Sequence, residues 1–174
     1  MKTNPKNIIF LVEDDQVFSK TLELHLKEHL QFRFDIHTFS DGETCLKNLH
    51  LKPSIVILDY FLNSHNPLAQ NGLEILKKIK NVDPEIEVIM LSVQDKLDVA
   101  VNSMRHGAYN YLTKNDVAFF RVQNTIINIF KMIRSRRELK AVKKGEVMVL
   151  VMIGVIVLIA ICLYLYFPNS IVNR

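Results

Sequence analysis

The sequence predicts an α/β protein: a doubly wound, five-stranded parallel sheet followed by a single transmembrane α-helix. Short apolar, β-branched runs recur along the chain, each run is followed by a helical pattern, and one uncharged apolar stretch lies near the C-terminus. The runs are apolar throughout rather than alternating, which is typical of parallel strands covered by helices on both faces of the sheet. These three observations together indicate the fold class.

The predicted strands and helices alternate in chain order. The five strands lie within "IIFLV" (8–12), "FRFDIHTF" (32–39), "SIVILD" (54–59), "EVIMLS" (87–92) and "AYNYLTK" (108–114). The five helices are predicted near 16–30, 42–50, 71–81, 96–106 and 116–143. Ser40 with Glu43 fits a capping box before the second helix. Asn71 marks the entry to the third helix, and Gly107 is expected to end the fourth in a left-handed conformation.

An apolar stretch of 21 residues without charge covers 147–167. As a helix with a rise of about 1.5 Å per residue it would extend about 32 Å, which matches a hydrocarbon core of about 30 Å. We therefore predict a globular domain over 6–130, a basic juxtamembrane helical extension over 131–146, a transmembrane helix over 147–167 and a short tail over 168–174. The basic side is expected to face the cytoplasm and to contact membrane lipid, which makes this a single-pass protein with a cytoplasmic N-terminal domain.

The charge of the chain is unevenly distributed. The formal net charge is +4, but residues 1–130 carry a net charge of −2 and residues 131–146 one of +5. The mildly acidic globular part argues against a nucleic-acid partner, because DNA-binding domains carry a basic patch on a folded surface. The two cysteines, Cys45 and Cys162, offer neither a disulfide framework nor paired metal-ligand spacing, and this indicates a reducing compartment.

Acidic residues gather where the first and third predicted strands end. Glu13, Asp14 and Asp15 follow the first strand directly, and Asp59 ends the third. In a sheet with the flavodoxin-like order 2-1-3-4-5, these two strands are neighbours and their carboxyl ends meet at the topological switch point. Converging carboxylates repel one another, so the site is expected to hold a cation, and oxygen ligands favour Mg²⁺.

Two further polar side chains are predicted at the same edge of the sheet. Ser92 ends the fourth strand and Lys114 the fifth. A carboxylate can act as a nucleophile, while a dication and a lysine neutralise the oxygens of a transferred phosphoryl group and a hydroxyl donates a hydrogen bond to one of them. The set of residues therefore predicts phosphoryl transfer.

In their order and identity, these residues resemble the receiver domain of bacterial two-component response regulators, over about residues 6–130. The resemblance implies that Asp59 is the phosphoacceptor and that Ser92 and Lys114 contact the phosphoryl group. It also implies that Ser92 and Tyr111 form the switch. The Mg²⁺ ligands implied by the resemblance are Glu13, Asp14, Asp59 and the backbone carbonyl of Phe61, with Asp15 ranked behind them.

The implied function is a signalling switch rather than an enzyme. The receiver would take a phosphoryl group from a sensor histidine kinase or a phosphotransfer protein and signal by phosphorylation-dependent protein contacts. These contacts would include a homodimer through the fourth helix, fifth strand and fifth helix. Self-phosphorylation from small phosphodonors and autodephosphorylation are the only reactions expected of the chain itself.

Two other functions are compatible with parts of this sequence. One is a non-phosphorylated, membrane-bound scaffold that uses a degenerate receiver surface. The other is a phosphohydrolase with an aspartate nucleophile, which ranks last because such enzymes commonly carry a second acid two residues after the nucleophile, where this chain has Phe61.

Two features depart from the family pattern. The loop "FLNSHNPLAQNG" (61–72) is longer than usual, and Asn115 replaces a proline after Lys114, which leaves the isomer of the Lys114–Asn115 peptide open.

A pair of histidines lies outside the family pattern. His25 and His29 are spaced i,i+4 on the first helix, a spacing that could hold a metal ion. Because no acid lies nearby, a solvated helix face is the preferred interpretation of this pair.

Overall fold

The structure, a computed structural model, describes residues 7–62, 70–93 and 96–166, without the side chains of 140–147, 149 and 164–166. The chain divides into two compact units, Met1–Ile129 and Phe130–Arg174. The predicted tail over 168–174 lies outside the described residues, as does most of the long loop predicted after Asp59.

Five parallel strands form one sheet in the first unit. They are β1 (Asn7–Val12), β2 (Phe34–Phe39), β3 (Ile55–Asp59), β4 (Glu87–Ser92) and β5 (Asn110–Thr113). Their order is β2-β1-β3-β4-β5, with every neighbouring pair parallel. The predicted sheet and its strand order are confirmed. All residues of β3 and β4 are buried, as expected for central strands covered on both faces.

The helices follow the strands in the predicted alternation. They are α1 (Gln16–His29), α2 (Gly42–Lys47), α3 (Gly72–Val82), α4 (Leu97–Arg105) and α5 (Ala118–Tyr166). The second predicted helix is shorter than expected, because α2 ends at Lys47 and a 3₁₀ turn continues to Leu51. Gly107 has a φ angle of 90°, so the left-handed residue predicted after the fourth helix is confirmed.

The start of α2 differs from the predicted capping box. The N-cap is Asp41, whose Oδ1 accepts a hydrogen bond of 2.7 Å from the backbone N–H of Thr44. The predicted cap at Ser40 is wrong by one residue, because serine and aspartate are both strong N-caps and here they are adjacent. A capping box is present instead at α3, between Asn71 and Glu74.

The core lies on both faces of the sheet, because successive strand side chains point in opposite directions. Phe10 and Val12 of β1 pack with α2 and α3 in one hydrophobic cluster, to which Ile75 contributes. The alternate residues Ile9 and Leu11 are also fully buried. This core holds the carboxyl ends of β1 and β3 side by side, and that placement positions the candidate site.

The helix α5 includes both the predicted fifth helix and most of the apolar stretch. Across the described part of the chain, no helix combines the length and the apolar character needed to cross a bilayer. The transmembrane helix predicted over 147–167 is therefore not supported.

Candidate functional site

The predicted site residues lie at one edge of the sheet. Glu13 follows the last residue of β1, and Asp59 is the last residue of β3. Lys114 follows β5, and its backbone N–H donates a hydrogen bond of 2.8 Å to the carbonyl of Ser92 at the end of β4. Four strand ends therefore bring acidic, hydroxyl and ammonium groups to the same edge, as the sequence predicts.

A cavity of about 360 Å³ opens at this edge. Its lining combines four acids with one lysine and two apolar residues: Glu13, Asp14, Asp15, Asp59, Lys114, Phe61 and Val93. Ser92 is 1% exposed and does not line this cavity. Tyr111 is half-buried and packs against the hydrophobic cluster beneath the sheet. The structure thus brings the acids and the lysine together, and neither of the two predicted switch residues lines the cavity that they form.

Lys114 joins the two buried acids. Its Nζ lies 2.7 Å from Glu13 Oε2, 2.8 Å from Glu13 Oε1 and 2.9 Å from Asp59 Oδ2. The side chain of Lys114 is 11% exposed, and those of Glu13 and Asp59 are 0% and 3% exposed. Ion pairs this deeply buried are weakly screened, so removing one partner leaves an uncompensated charge.

The acids also have oxygen atoms that the protein does not satisfy. Asp14 Oδ2 and Asp59 Oδ1 are buried and accept no hydrogen bond within the described residues. Glu13, Asp14 and Asp59 each offer a carboxylate oxygen, and these oxygens lie within 4.8 Å of one another. Carboxylate oxygens gathered this closely, on acids of which Asp14 and Asp59 each have an oxygen without a hydrogen bond from the described residues, are the type of ligand that Mg²⁺ prefers.

Asp15 has a different role from its two neighbours. Its Oδ1 accepts hydrogen bonds from the backbone N–H groups of Val17 at 2.9 Å and Phe18 at 3.0 Å, which makes it the N-cap of α1. Its own backbone N–H donates to Glu13 Oε1 at 3.3 Å. Asp15 therefore begins the helix and orients Glu13, in agreement with its lower rank among the predicted ligands.

One neighbour of the site was not predicted from the sequence. The Nζ of Lys114 lies 4.7 Å from the centre of the Phe18 ring, within the range of a cation–π interaction. Phe18 is in the first turn of α1, and only the fold brings it beside β5. The backbone also answers the open question about Lys114–Asn115, because no peptide bond in the described residues is cis.

For both Glu13 and Lys114, burial and the charge of the ion-pair partner shift the pKa in opposite directions. Burial, followed by repulsion from Asp59, raises the pKa of Glu13 from 4.5 to about 7, although Lys114 opposes this rise. Burial alone would lower the pKa of Lys114, but attraction to Asp59 and Glu13 outweighs burial and raises it. Lys114 therefore stays protonated, while Glu13 can take up a proton near neutral pH.

The raised pKa of Glu13 predicts a pH-dependent affinity for Mg²⁺. A protonated carboxyl must lose its proton to bind the ion, so the affinity should rise by up to about tenfold per pH unit below pH 7 and level off above it. The stability of the metal-free protein is expected to change with pH in the opposite direction to the Mg²⁺ affinity. The stability that Glu13 contributes is fully present below pH 4.5 and is lost as pH rises through about 7.

Calorimetric titration with Mg²⁺ between pH 5.5 and 8.5 measures this dependence. Glu13→Gln is the control, because an amide oxygen does not titrate and its weaker Mg²⁺ affinity should not follow this profile. An unchanged slope in Glu13→Gln would assign the proton to another group.

Comparison with known proteins agrees with this geometry. A family model described as "Response regulator receiver domain" matches residues 9–119. The transcriptional regulatory protein CssR of Bacillus subtilis is 28% identical over 142 residues, which cover 81% of this chain and 58% of CssR. The transcriptional regulatory protein QseB of Haemophilus influenzae is 31% identical over 107 residues, covering 61% of this chain and 45% of QseB. The chain thus spans about half the length of these two relatives.

Solved structures share the fold. The receiver domain of a putative Luxo repressor protein from Vibrio parahaemolyticus has a TM-score of 0.67 at 22% identity, covering 77% of this chain and 97% of that one. The BeF3-activated receiver domain of DrrB, a Thermotoga maritima protein, has a TM-score of 0.62 at 25% identity, covering 72% and 98%. With the family model matching more than half of its length, this chain belongs to the response regulator receiver domain family.

Proposed function

We propose that this chain is a phosphorylation-controlled signalling switch in which Asp59 accepts a phosphoryl group from a sensor histidine kinase or a phosphotransfer protein. The observation that carries the proposal is the environment of Asp59. Its carboxylate is buried, Oδ2 lies 2.9 Å from Lys114 Nζ, and Oδ1 accepts no hydrogen bond from the part of the chain that the structure describes. Family membership supports the same role, because receiver domains of response regulators are generally phosphoacceptors.

The transfer needs little from the protein beyond positioning and charge. A carboxylate oxygen of Asp59 forms a bond to phosphorus as the bond from phosphorus to the donor imidazole nitrogen breaks, and the electron pair returns to the imidazole. An ionised carboxylate needs no general base. Lys114 is close enough to Asp59 to contact the phosphoryl oxygens, and Ser92 would donate its hydroxyl hydrogen to one of them. Mg²⁺, when bound, would neutralise the negative charge brought by the phosphoryl group.

Glu13, Asp14, Asp59 and the carbonyl of Phe61 would hold the Mg²⁺. Glu13 and Asp59 share Lys114 as their only cation among the described residues, and three acids with one lysine leave two negative charges. A dication balances that charge. We therefore propose that phosphorylation is Mg²⁺-dependent.

The output would be a protein contact on the face formed by α4, β5 and α5. Ser92 and Tyr111 would respond to the phosphoryl group and reshape this face, and a homodimer is the proposed consequence. The described apolar side chains of α4 support this, because Leu97, Val101 and Met104 are 77%, 39% and 48% exposed. Exposed apolar side chains grouped on one element are suited to protein contacts.

Attachment to a membrane, with the receiver in the cytoplasm, is a separate part of the proposal. It is supported by the second unit, in which every described large apolar side chain from Met148 to Leu163 is at least 50% exposed. The basic residues of 131–137 would contact anionic lipid, at about 1 kcal/mol per residue near the surface. Washing cell membranes with alkaline carbonate tests the attachment. The wild-type chain should stay with the membrane pellet. The double variant Val155→Arg, Leu158→Arg should be released into the supernatant.

Phosphorylation is tested by incubating the full chain with Mg²⁺ and a small acyl phosphate donor and measuring the intact mass. We expect one phosphoryl group per chain, labile to hydroxylamine, and none on Asp59→Asn or after chelation of Mg²⁺. An equal label on Asp59→Asn would refute the assignment. A chain that takes no label from the donor or from a histidine kinase, yet binds its partner, would be the unphosphorylated scaffold.

A further inference from the structure

A pair of stacked histidines lies on α1, away from the acidic cavity. The rings of His25 and His29 have their centres 4.3 Å apart and their planes 20° apart. His25 is half-buried, and its ring centre lies 5.7 Å from that of Phe119 on α5. The pair is therefore not the fully solvated helix face that the sequence suggests.

Each ring has one nitrogen committed as a hydrogen-bond donor. His25 Nε2 lies 3.1 Å from Gln123 Oε1, and His29 Nδ1 lies 2.9 Å from the backbone carbonyl of His25. Amide and carbonyl oxygens can only accept, so these ring nitrogens carry the hydrogens. In the neutral imidazoles, His25 Nδ1 and His29 Nε2 are left with lone pairs.

This hydrogen-bond pattern is the one found around metal-binding histidines. A ligating imidazole usually donates its other N–H to a carbonyl or carboxylate, which fixes the tautomer and the direction of the lone pair. Two Zn–N bonds of about 2.0–2.1 Å at a tetrahedral angle hold their nitrogens about 3.4 Å apart. In the structure the two planes are only 20° apart, and imidazole lone pairs lie in the ring plane, so the exposed His29 ring would turn out of the stack to direct its lone pair at the same ion.

We propose that His25 and His29 form a second metal site, selective for ions that prefer imidazole, such as Zn²⁺. Two nitrogen ligands suit Zn²⁺, Ni²⁺ or Cu²⁺ and are poor ligands for Mg²⁺, which prefers oxygen. Water would complete the coordination, because His29 is exposed. Gln123 acts as a positioning residue that holds the His25 ring from α5. The proposal does not depend on phosphoryl transfer at Asp59.

Calorimetric titration of the full chain with Zn²⁺, in excess Mg²⁺ to occupy the acidic site, tests the proposal. We expect one Zn²⁺ per chain, and a loss of affinity of about tenfold or more in His25→Gln and in His29→Gln. His106→Gln is the matched control. The His106 ring also bonds the carbonyl four residues before it, at 2.7 Å, but no described imidazole stacks on it, so its loss should leave Zn²⁺ affinity unchanged.

Substitutions at Gln123 test whether the hydrogen bond to His25 contributes to Zn²⁺ binding. Gln123→Glu should tighten Zn²⁺ binding, because a carboxylate is a stronger acceptor for the His25 N–H, and Gln123→Leu should weaken it by about tenfold. His29 is on the surface, so His29→Gln keeps the test valid if His25→Gln fails to fold. Absence of Zn²⁺ binding to the wild-type chain, or undiminished binding to His29→Gln, would overturn the proposal.

Discussion

Replacing Lys114 with Met is expected to lower the free energy of unfolding of the metal-free receiver by about 3–5 kcal/mol. Lys114 is the cation that Glu13 and Asp59 share, at 2.7 and 2.9 Å. Without it, the two buried acids have no cation partner among the described residues, and their repulsion favours protonation of Glu13, whose pKa is already raised to about 7. Methionine keeps most of the side-chain length and can still pack against Phe18, so the loss comes mainly from charge rather than from a cavity.

Hydrogen exchange at neutral pH, followed at the amides of β1 and β3, measures this loss within the receiver. Lys20→Met is the matched control. Lys20 also forms an ion pair, 2.9 Å from Glu23, but its side chain is 65% exposed, so its loss should cost less than about 1 kcal/mol. Equal losses of stability in the two variants would mean that the buried charge of Lys114 contributes no more to folding than the exposed charge of Lys20.

Two conditions should restore the stability of Lys114→Met. The first is Mg²⁺, because a dication supplies the missing positive charge between the same acids. The second is the added change Glu13→Gln, which removes one of the two repelling carboxylates. The variant should nevertheless remain impaired in phosphorylation, since the ammonium is also needed for the phosphoryl oxygens. A variant that is restored in stability but still poorly phosphorylated would separate the two roles of Lys114.

The sheet and the acidic site could be predicted from the sequence for the same reason. Uniformly apolar strands imply a covered parallel sheet, and the parallel order places the carboxyl ends of neighbouring strands at one edge. Residues directly after such strands, including Glu13 and Asp59, therefore meet whatever the details of packing. Their convergence is a consequence of topology, which the periodicity of the chain reveals.

The sequence does not predict which of two adjacent residues takes a structural role, and it does not predict contacts between distant segments. Ser40 and Asp41 can both cap a helix, and only the backbone shows that Asp41 does so. Asp14 and Asp15 both line the cavity, and although the family resemblance ranks Asp15 behind Asp14 as a ligand, only the backbone shows that Asp15 caps α1. The simultaneous contact of Lys114 with Glu13 and Asp59 depends on the side-chain path from β5, which no sequence pattern encodes.

Gly72→Ala is expected to slow phosphorylation of Asp59 by about 100-fold, the cost of misplacing a reacting group by about 1 Å. Gly72 begins α3, and its N–H donates to the carbonyl of Tyr60 at 2.9 Å. A Cβ at this position would lie 2.2 Å from the carbonyl oxygen of Asp59 and 2.8 Å from Tyr60 Cα. Both are backbone atoms that cannot rotate away, so the strand end that carries the phosphoacceptor must shift.

Two other glycines separate this effect from a general loss of stability. Gly42→Ala would place a Cβ 2.3 Å from Ile75 Cγ1, so it should overpack the core by about 1–3 kcal/mol without touching Asp59. Gly154→Ala meets nothing within 4 Å and should be harmless. The initial rate of labelling by a small acyl phosphate donor, measured well below the unfolding temperature of each variant, compares them. A rate for Gly72→Ala no lower than that for Gly42→Ala would show that the close approach of α3 does not position the acceptor.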